Sequence, residues 1–226
     1  MRLHRFYLND IELKHDFWLH DEPVLNQWRR VLRFTVGQEV VLFNATHDRL
    51  YKIVELNERE AHLEHVTDLE RQLPKREIYL FWSLLKKDKN DWVLQKCTEL
   101  GVSHFVPLLA YRSEKTGFNE ERAEKIIIEA AEQCGRSDIP TIREPMLVQT
   151  ALAEFGDKIS LFICEQGSDE ADLHLDQAGV LIGPEGGWSD EEKQLFTDCQ
   201  VAYLKLHDFT LRAETACVAV AHKLLQ

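Results

Sequence analysis

The sequence predicts an α/β protein in which a small N-terminal β-barrel precedes a mostly parallel sheet with helices on both faces. From residue 77 onward, short and almost continuously apolar segments alternate with amphipathic ones, a pattern typical of buried parallel strands connected by helices. Over the first seventy residues, short β-rich runs are separated by polar turn residues, which favours a meander closing into a barrel. We therefore expect two domains, over residues 1–70 and 77–226.

One helix is predicted inside the barrel region, and a linker follows that region. Asp21 is a suitable N-cap and Pro23 suits the first turn. The apolar residues expected on one face of this helix are Val24, Trp28, Val31 and Leu32. The segment 67–76 contains Pro74, has no periodicity and is poor in apolar residues, so it is predicted to be the linker.

The elements of the second domain follow from alternating apolar runs and helical periodicity. They are a strand over 78–82, a helix over 91–100 ended by Gly101, a strand over 104–109, a helix over 119–134, strands over 159–164, 180–182 and 201–206, and a closing helix over 212–225. Ligands of such sheets usually bind beyond the carboxyl ends of the strands.

Composition and charge restrict the class of protein. The 226 residues carry a formal net charge of −12, which excludes a generally polycationic nucleic-acid coat but not a local basic surface. No segment approaches the roughly 18 consecutive apolar residues of a membrane span, and the N-terminus lacks the apolar core of a signal peptide. The five cysteines form no C-x-x-C pair, so neither a disulfide framework nor a metal site is expected. A cytoplasmic location is predicted.

A glycine-rich loop follows the predicted strand 180–182. Its sequence from Gly183 is Gly-Pro-Glu-Gly-Gly-Trp-Ser, and the glycines permit close backbone approach and positive φ. Ser189 and Glu192 form a capping box that specifies the start of a helix. The loop lacks the Lys-Ser/Thr pair of a Walker loop, and the acidic Glu185 disfavours a phosphate ligand. By itself, the loop is equally well explained as a tight strand-to-helix connection.

A second loop follows the last predicted strand. It places Arg212, Glu214 and Thr215 at the start of the closing helix. Considered alone, an ordinary helix N-terminus with Glu214 interacting favourably with the helix dipole is the simpler interpretation.

Together the two loops resemble a known family. Gly183–Ser189, followed some twenty residues later by Leu-Arg-Ala-Glu-Thr-Ala at 211–216, is similar to the bacterial RsmE family of the SPOUT class. Further matching segments occur in the same order along the chain: Arg5-Phe6, Val31–Arg33, Lys96–Val102, and Glu132–Arg136 with Pro140. The resemblance covers essentially the whole chain.

The resemblance implies an S-adenosylmethionine-dependent enzyme that methylates N3 of a uridine in small-subunit (16S) ribosomal RNA. It further implies a trefoil-knotted methyltransferase domain, a PUA-like N-terminal barrel that binds RNA, and a homodimer acting on RNA within a ribosomal particle. The residues expected at the cofactor site are Leu181, Ile182, Gly183, Gly186, Gly187, Leu206, His207, Leu211 and Thr215.

The second loop departs from the family pattern at two positions. The family has Leu-Gly-x-Arg-Ile-Leu-Arg, whereas this chain has Leu-His-Asp-Phe-Thr-Leu-Arg over 206–212. His207 therefore replaces a glycine, and Phe209 replaces an arginine. We expect the cofactor contacts of this loop to differ from those of the family.

Three side chains are candidates for the chemistry. Uridine N3 must lose a proton before it can attack a methyl group, and the resulting charge spreads onto the ring carbonyls. Arg212 is expected to stabilise that charge. Glu185 or Glu214 can accept the proton if desolvation raises its pKa, and water is the other candidate.

RNA affinity is expected from local basic residues. The candidates are Arg2, Arg5, Arg29, Arg30, Arg33, Lys86 and Lys87, with Lys89 nearby. Residues 1–70 contain 9 basic and 13 acidic side chains. We therefore expect weak binding to isolated RNA and a requirement for a structured ribosomal particle. The apolar closing helix is suited to a dimer interface, although an internal core explains its composition equally well.

Two other functions remain open from the sequence. One is a non-catalytic, dimeric RNA-binding protein that has lost or altered cofactor binding, for which the change at His207 is the only support. The other is a nucleotide-dependent enzyme that uses the glycine loop to bind phosphate. The acidic Glu185 in that loop disfavours this function.

Overall fold

The computed structural model describes residues 3–9, 11–113, 117–164 and 176–225, with every side chain in these ranges except that of Lys87. The strands are β1 (Arg5–Tyr7), β2 (Asp16–Leu19), β3 (Glu39–Phe43), β4 (Asp48–Leu56), β5 (Ala61–Leu69), β6 (Glu77–Ser83), β7 (His104–Leu109), β8 (Thr141–Ile142), β9 (Met146–Leu147), β10 (Ser160–Cys164), β11 (Gln177–Ile182) and β12 (Ala202–Leu204). The helices are α1 (Glu22–Asn26), α2 (Lys87–Leu100), α3 (Glu120–Cys134), α4 (Val148–Phe155), α5 (Asp190–Asp198) and α6 (Ala213–Leu225).

The chain divides into two compact units. The first contains the residues up to Leu73 together with Ala131–Ile139, and the second contains Pro74–Ala130 and Pro140 onward. The division falls within α3. Residues 131–139, from the middle of the chain, therefore belong to the same unit as the N-terminal residues. The two domains predicted from the sequence, by contrast, follow one another in chain order.

The first unit is a five-stranded mixed sheet around its own core. The strand order is β1-β3-β4-β5-β2, with β1 parallel to β3 and the other pairs antiparallel. Trp28, Tyr51 and Phe6 are among its largest fully buried side chains. This sheet with its enclosed core is the barrel-like unit that the sequence predicts.

The predicted helix in this unit begins as expected but ends differently. Asp21 accepts a hydrogen bond from the amide of Val24 at 3.0 Å, and Pro23 lies in the first turn. After α1 the backbone widens into a π-helical turn, Gln27–Val31, in which the Leu32 amide donates to the Gln27 carbonyl. Because this turn changes the angular spacing of side chains, Val31 is 72% exposed. The prediction that Val31 belongs to the buried face was wrong.

The predicted linker is shorter than expected. Residues 67–69 continue β5, where Leu69 lies opposite Asp48 of β4. Cross-strand pairing with β4 orders a segment whose own sequence has no strand periodicity, since tertiary context overrides weak local preference.

A buried carboxylate binds the segment 131–139 to the rest of the first unit. The side chain of Asp48 is fully buried and forms an ion pair with Arg5. It also accepts a hydrogen bond of 2.7 Å from the hydroxyl of Ser137. Glu132 accepts a hydrogen bond of 2.8 Å from the amide of Tyr7. The segment beginning at Glu132, which carries part of the family resemblance, is thus held by buried and partly buried polar contacts.

The second unit is a parallel sheet. Its strand order is β12-β10-β11-β6-β7-β8, with β9 also pairing with β7, and each of these pairs is parallel. The predicted strands and helices of this part are all present, within a few residues of the expected bounds. α2 begins earlier than expected, at Lys87, and ends at Gly101 with φ +107° as predicted. The sequence reading missed α4 and the short strands β8 and β9.

The described residues contain neither a membrane-spanning helix nor a metal site. No helix among them combines the length and apolar character of a membrane span, and no group of His, Cys, Asp or Glu is arranged to hold a metal ion. The five cysteines are free thiols.

The ion pair of Asp48 gives a test of the first unit. We expect Asp48→Asn to lower the free energy of unfolding by about 3 kcal/mol, because the partly buried Arg5 charge would lose its partner. Urea unfolding monitored by circular dichroism measures this change. Glu58→Gln is the matched control: Glu58 pairs with Arg29 at the surface, and such pairs contribute about 0–1 kcal/mol. Equal losses in the two variants would contradict the buried role of Asp48.

Candidate active site

The two loops singled out in the sequence lie at the same edge of the parallel sheet. β10 is hydrogen-bonded to β11 on one side and to β12 on the other. Because the three strands are parallel, their carboxyl ends meet at one edge. The loop after β11 and the loop after β12 therefore flank the end of β10, which is the arrangement that forms ligand clefts in such sheets.

These loops line one cleft with a volume of about 660 Å³. This lies within the range of about 300–1,000 Å³ that is usual for small-molecule sites. The lining residues are Arg112, Cys164, Ile182–Trp188, Lys193, Leu206, His207, Phe209–Ala213 and Ala216.

One wall of the cleft is shaped by a tryptophan packed against bare backbone. A Cβ atom added to Gly183 would lie 3.0 Å from the indole of Trp188, which is buried and stacks edge-on against Phe196. The indole can occupy this position because residue 183 has no side chain. Gly187 adopts φ +69°, a conformation that favours glycine.

The glycine loop is fixed at its far end by the capping box. Ser189 accepts a hydrogen bond from the amide of Glu192, and Glu192 accepts one from the amide of Ser189. The other carboxylate oxygen of Glu192 accepts a 2.9 Å hydrogen bond from the Tyr111 amide, at the end of β7. Next to it, Arg112 donates to the carbonyl of Gly186 at 3.0 Å. The loop after β7 thus braces the glycine loop.

The loop after β12 forms the opposite wall. Leu206 and Leu211 are half-buried, and His207 accepts a 3.1 Å hydrogen bond from the Phe209 amide. Phe209 is 75% exposed, so its ring is largely in solvent and does not fill the cleft. The two residues that depart from the family pattern therefore lie at its rim.

An ammonium group joins the two acidic side chains predicted to take part in the chemistry. Lys89 donates a 2.9 Å hydrogen bond to Glu185, and its Nζ lies 3.4 Å from Glu214 Oε2. Burial raises the pKa of Glu185, but the hydrogen bond from Lys89 and the charges of Lys89 and Lys86 outweigh it. The pKa of Glu185 therefore lies below its ordinary value. The condition on which Glu185 was a candidate base, a pKa raised by desolvation, is not met, because a cation lies beside it.

Cys164 contributes an apolar group to the cleft. Burial strongly raises the pKa of its thiol, against a smaller opposing effect of the Lys223 charge. The thiol is therefore neutral at physiological pH and is not activated as a nucleophile.

The structure brings most of the predicted cofactor-site residues together. Those that line the cleft are Ile182, Gly183, Gly186, Gly187, Leu206, His207 and Leu211, together with the predicted chemical residues Glu185 and Arg212. Leu181 lies in the core beneath. Glu214 and Thr215 are not among the lining residues, although Glu214 contacts Lys89. Among the described residues, no acidic side chain pairs with the exposed guanidinium of Arg212.

The predicted RNA-binding residues differ in how available their charges are. Arg5 is occupied by Asp48, and Arg29 pairs with Glu58 at 3.3 Å. Arg30, Arg33 and Lys86 are exposed. Arg2 lies outside the described residues, as does the side chain of Lys87.

Comparison with known proteins shows what this chain is related to. The family model of the RNA methyltransferase domain matches residues 71–225. The ribosomal RNA small subunit methyltransferase E of Aquifex aeolicus (strain VF5) is 30% identical over 203 residues, which cover 87% of this chain and 89% of the relative. The chain belongs to the ribosomal RNA small subunit methyltransferase E family.

Solved structures agree with this membership. Lpg2936 from Legionella pneumophila, in complex with the cofactor S-adenosylmethionine, is 26% identical with a TM-score of 0.89, covering 99% of this chain and 97% of that one. The methyltransferase E from Neisseria gonorrhoeae, bound to S-adenosylmethionine, is 24% identical and shares the fold with a TM-score of 0.90 and the same coverage. The resemblance and the SPOUT fold class predicted from the sequence are confirmed. The trefoil knot stays a prediction.

Three residues of the site or its surroundings were not predicted to belong to it. Trp188 lies within the glycine-loop motif, and its position at the end of that loop was an available signal. Arg112 follows β7, and a search for side chains after every strand end would have found it. Lys89 has no sequence signal, because its contacts with Glu185 and Glu214 depend on the fold.

The packing of Trp188 on Gly183 can be tested directly. We expect Gly183→Ala to lower the free energy of unfolding by about 1–3 kcal/mol, since the added methyl group displaces a buried indole. The total tryptophan emission, to which Trp188 contributes as one of five tryptophans, should change at the same time. Urea unfolding followed by tryptophan fluorescence measures the stability, and the spectrum of the folded variant shows the change in emission.

Gly117→Ala is the control, because a Cβ atom at Gly117 meets no atom within 4 Å. A Gly183→Ala protein with the stability and emission of this control would show that the indole does not depend on the missing side chain.

Proposed function

We propose that the chain is an S-adenosylmethionine-dependent enzyme that methylates N3 of a uridine in small-subunit ribosomal RNA. The observation that carries this proposal is the single cleft formed by the loops after β11 and β12. It combines glycine backbone, apolar walls and the exposed cation Arg212. Family membership supports the methyltransferase class, and the uridine N3 position is inherited from the family resemblance.

The residues of the cleft fit the proposed cofactor. Gly183 and Gly187 leave backbone accessible in one wall, while Ile182, Leu206 and Leu211 offer apolar contact area suited to a purine ring. None of these five residues carries a positive charge that would favour a phosphate ligand. When bound, S-adenosylmethionine supplies an electrophilic methyl group on its sulfonium.

The chain's own residues act on the nucleobase. Loss of the N3 proton comes first and leaves negative charge on the ring carbonyl oxygens. Methylation would then form a bond from N3 to the methyl carbon while the bond from that carbon to the sulfonium sulfur breaks, leaving a neutral thioether. Arg212 stabilises this charge, since it places a permanent positive charge at the cleft where the negative charge develops. Glu185 is ionised at neutral pH and can accept a proton, but its lowered pKa makes it a weak base. Stabilisation of the anion by Arg212 is therefore the larger contribution.

The partners are proposals of the same kind. Arg30, Arg33 and Lys86 provide exposed positive charge for RNA phosphates, but their number is small in an acidic chain. This favours a substrate within a ribosomal particle over free RNA. A homodimer is proposed from the family resemblance. α6 supports it weakly, since Cys217, Val220, Ala221 and Leu224 are already buried within the chain.

The alternative of a non-catalytic RNA-binding protein has less support. It depended on the change at His207, yet this side chain is exposed and lies at the rim of the cleft. A nucleotide-dependent enzyme is disfavoured by the ionised carboxylate of Glu185 within the glycine loop.

The role of Arg212 gives the central test. We expect Arg212→Ala to lower methyl transfer to small ribosomal subunits by at least about 100-fold, as for loss of a donor that stabilises developing charge. Cofactor affinity, measured by calorimetry, should stay within about threefold, because Arg212 acts on the nucleobase. Mass spectrometry of the ribosomal RNA locates the methyl group.

Arg143→Ala serves as control, since Arg143 pairs with Glu154 and does not line the cleft. Absence of S-adenosylmethionine binding by the wild-type protein, or methylation at an atom other than uridine N3, would refute the proposed function. Unchanged turnover in Arg212→Ala would remove Arg212 from the mechanism.

The basic residues of the first unit predict a salt dependence. Each phosphate contact contributes a slope of about 0.7–0.9 to the dependence of log affinity on log salt concentration. We expect the double variant Arg30→Ala/Arg33→Ala to reduce this slope by about 1.5 in binding to ribosomal RNA. Filter binding across a salt series measures it. Lys52→Ala, an exposed lysine on β4, should leave the slope unchanged, and an equal effect there would indicate a nonspecific charge effect.

A further inference from the structure

Lys89 contacts both acidic side chains of the candidate active site. Its Nζ is 2.9 Å from Glu185 Oε1 and 3.4 Å from Glu214 Oε2. Glu185 belongs to the loop after β11, and Glu214 belongs to the first turn of α6. One ammonium group on α2 thus connects the two segments that carry the walls of the cleft.

The position of Lys89 is fixed by its neighbour in sequence. Asn90 is buried and accepts hydrogen bonds from the amide of Leu85 and from the indole of Trp82, each at 3.0 Å. It also donates to the Leu85 carbonyl at 2.8 Å. These contacts tie the first turn of α2 to the end of β6, so Lys89 extends from a rigid anchor.

The two carboxylates need a cation between them. Both lie within 3.4 Å of the same nitrogen, so they are close neighbours, and like charges at such distances disfavour simultaneous ionisation. Glu214 is mostly buried, with 15% of its side chain exposed. Among the described residues, no hydrogen-bond donor satisfies its Oε2 atom. The cation that lies against this oxygen is the Lys89 ammonium, at 3.4 Å.

We propose that Lys89 is a positioning residue of the methyl-transfer site. It holds Glu185 and Glu214 side by side and so ties the glycine loop to the start of α6. The inference rests on the proposed function, since the placement of these segments affects catalysis only if the cleft transfers a methyl group.

In the part of the chain that the structure describes, few charged groups act on this arrangement. Lys89 and Lys86 act on Glu185, and Glu185 and Glu214 act on Lys89. Buried Cys217 lies near Glu214, whose charge contributes to raising the pKa of that thiol. Lys86 is exposed and forms the N-cap of α2, so it cannot replace Lys89 between the two carboxylates.

The test compares Lys89→Met and Lys89→Arg with the wild-type chain. Carbon-13 NMR of glutamate-labelled protein follows the carboxylate titrations, and methyl transfer to small ribosomal subunits is measured against pH. In Lys89→Met we expect one of the two carboxylates to titrate about one pH unit higher or more. The acid limb of the rate profile should move in the same direction.

We also expect kcat at neutral pH to fall at least about tenfold, since small displacements of a cleft wall are costly to rate. S-adenosylmethionine affinity should change less than about threefold, because the cofactor does not contact Lys89 in this proposal. Lys89→Arg keeps the charge and should restore both the titration and most of the rate. Lys96→Met is the control, since Lys96 pairs only with Glu99 on the same helix among the described residues.

The outcomes separate the two proposals. Unchanged carboxylate titrations in a folded Lys89→Met protein would overturn the role of Lys89, and Lys89→Gln provides the same comparison if the Met variant does not fold. A wild-type chain that transfers no methyl group, but whose titrations still respond to Lys89, would refute the proposed function and leave the ion-pair arrangement standing.

Discussion

The candidate active site depends on the parallel pairing of β10 with β11 and β12. Each strand ends at the same edge of the sheet, so two loops that are some twenty residues apart in sequence flank one strand end. Neither loop forms a cleft alone. The hydrogen bonds of the β10 backbone therefore position the chemistry, even though β10 contributes only Cys164 to the lining. A register shift of β12 would move Leu206, Arg212 and the start of α6 together.

The electrostatics of the cleft follow from a single added cation. Without Lys89, the site would contain two neighbouring acidic side chains beside Arg212, and burial would favour protonation of one of them. With Lys89, both carboxylates have a cation beside them, and Arg212 stays unpaired among the described residues. The free guanidinium is thus available to a ligand, because the acidic groups already have a partner.

Much of the second unit could be predicted from the sequence, because its buried strands are continuous apolar runs. β7 has the predicted bounds, and the capping box at Ser189 and Glu192 is formed as expected. The sequence-based prediction was wrong at positions whose structure depends on tertiary contacts. The π-helical turn after α1 exposes Val31, and pairing with β4 extends β5 through residues 67–69.

The candidate site could also be predicted in part, where its residues carry a signal in the local sequence. Glycines after a buried strand carry a local signal, and so does a basic residue at a helix start. The ion pairs of Lys89 do not, since they join residues separated by 96 and 125 positions in the chain. The direction of the Glu185 pKa could not be predicted for the same reason, because it depends on that partner.

The exposure of His207 and Phe209 has an evolutionary consequence. Side chains that are mostly in water at the rim of a cleft contribute little to folding free energy, so their replacement costs the scaffold almost nothing. Selection on these two positions then acts through ligand binding at the mouth of the cleft. The difference of this chain from the family pattern at these two positions is therefore compatible with an intact scaffold, and substitutions at the mouth of the cleft need no compensating changes beneath it.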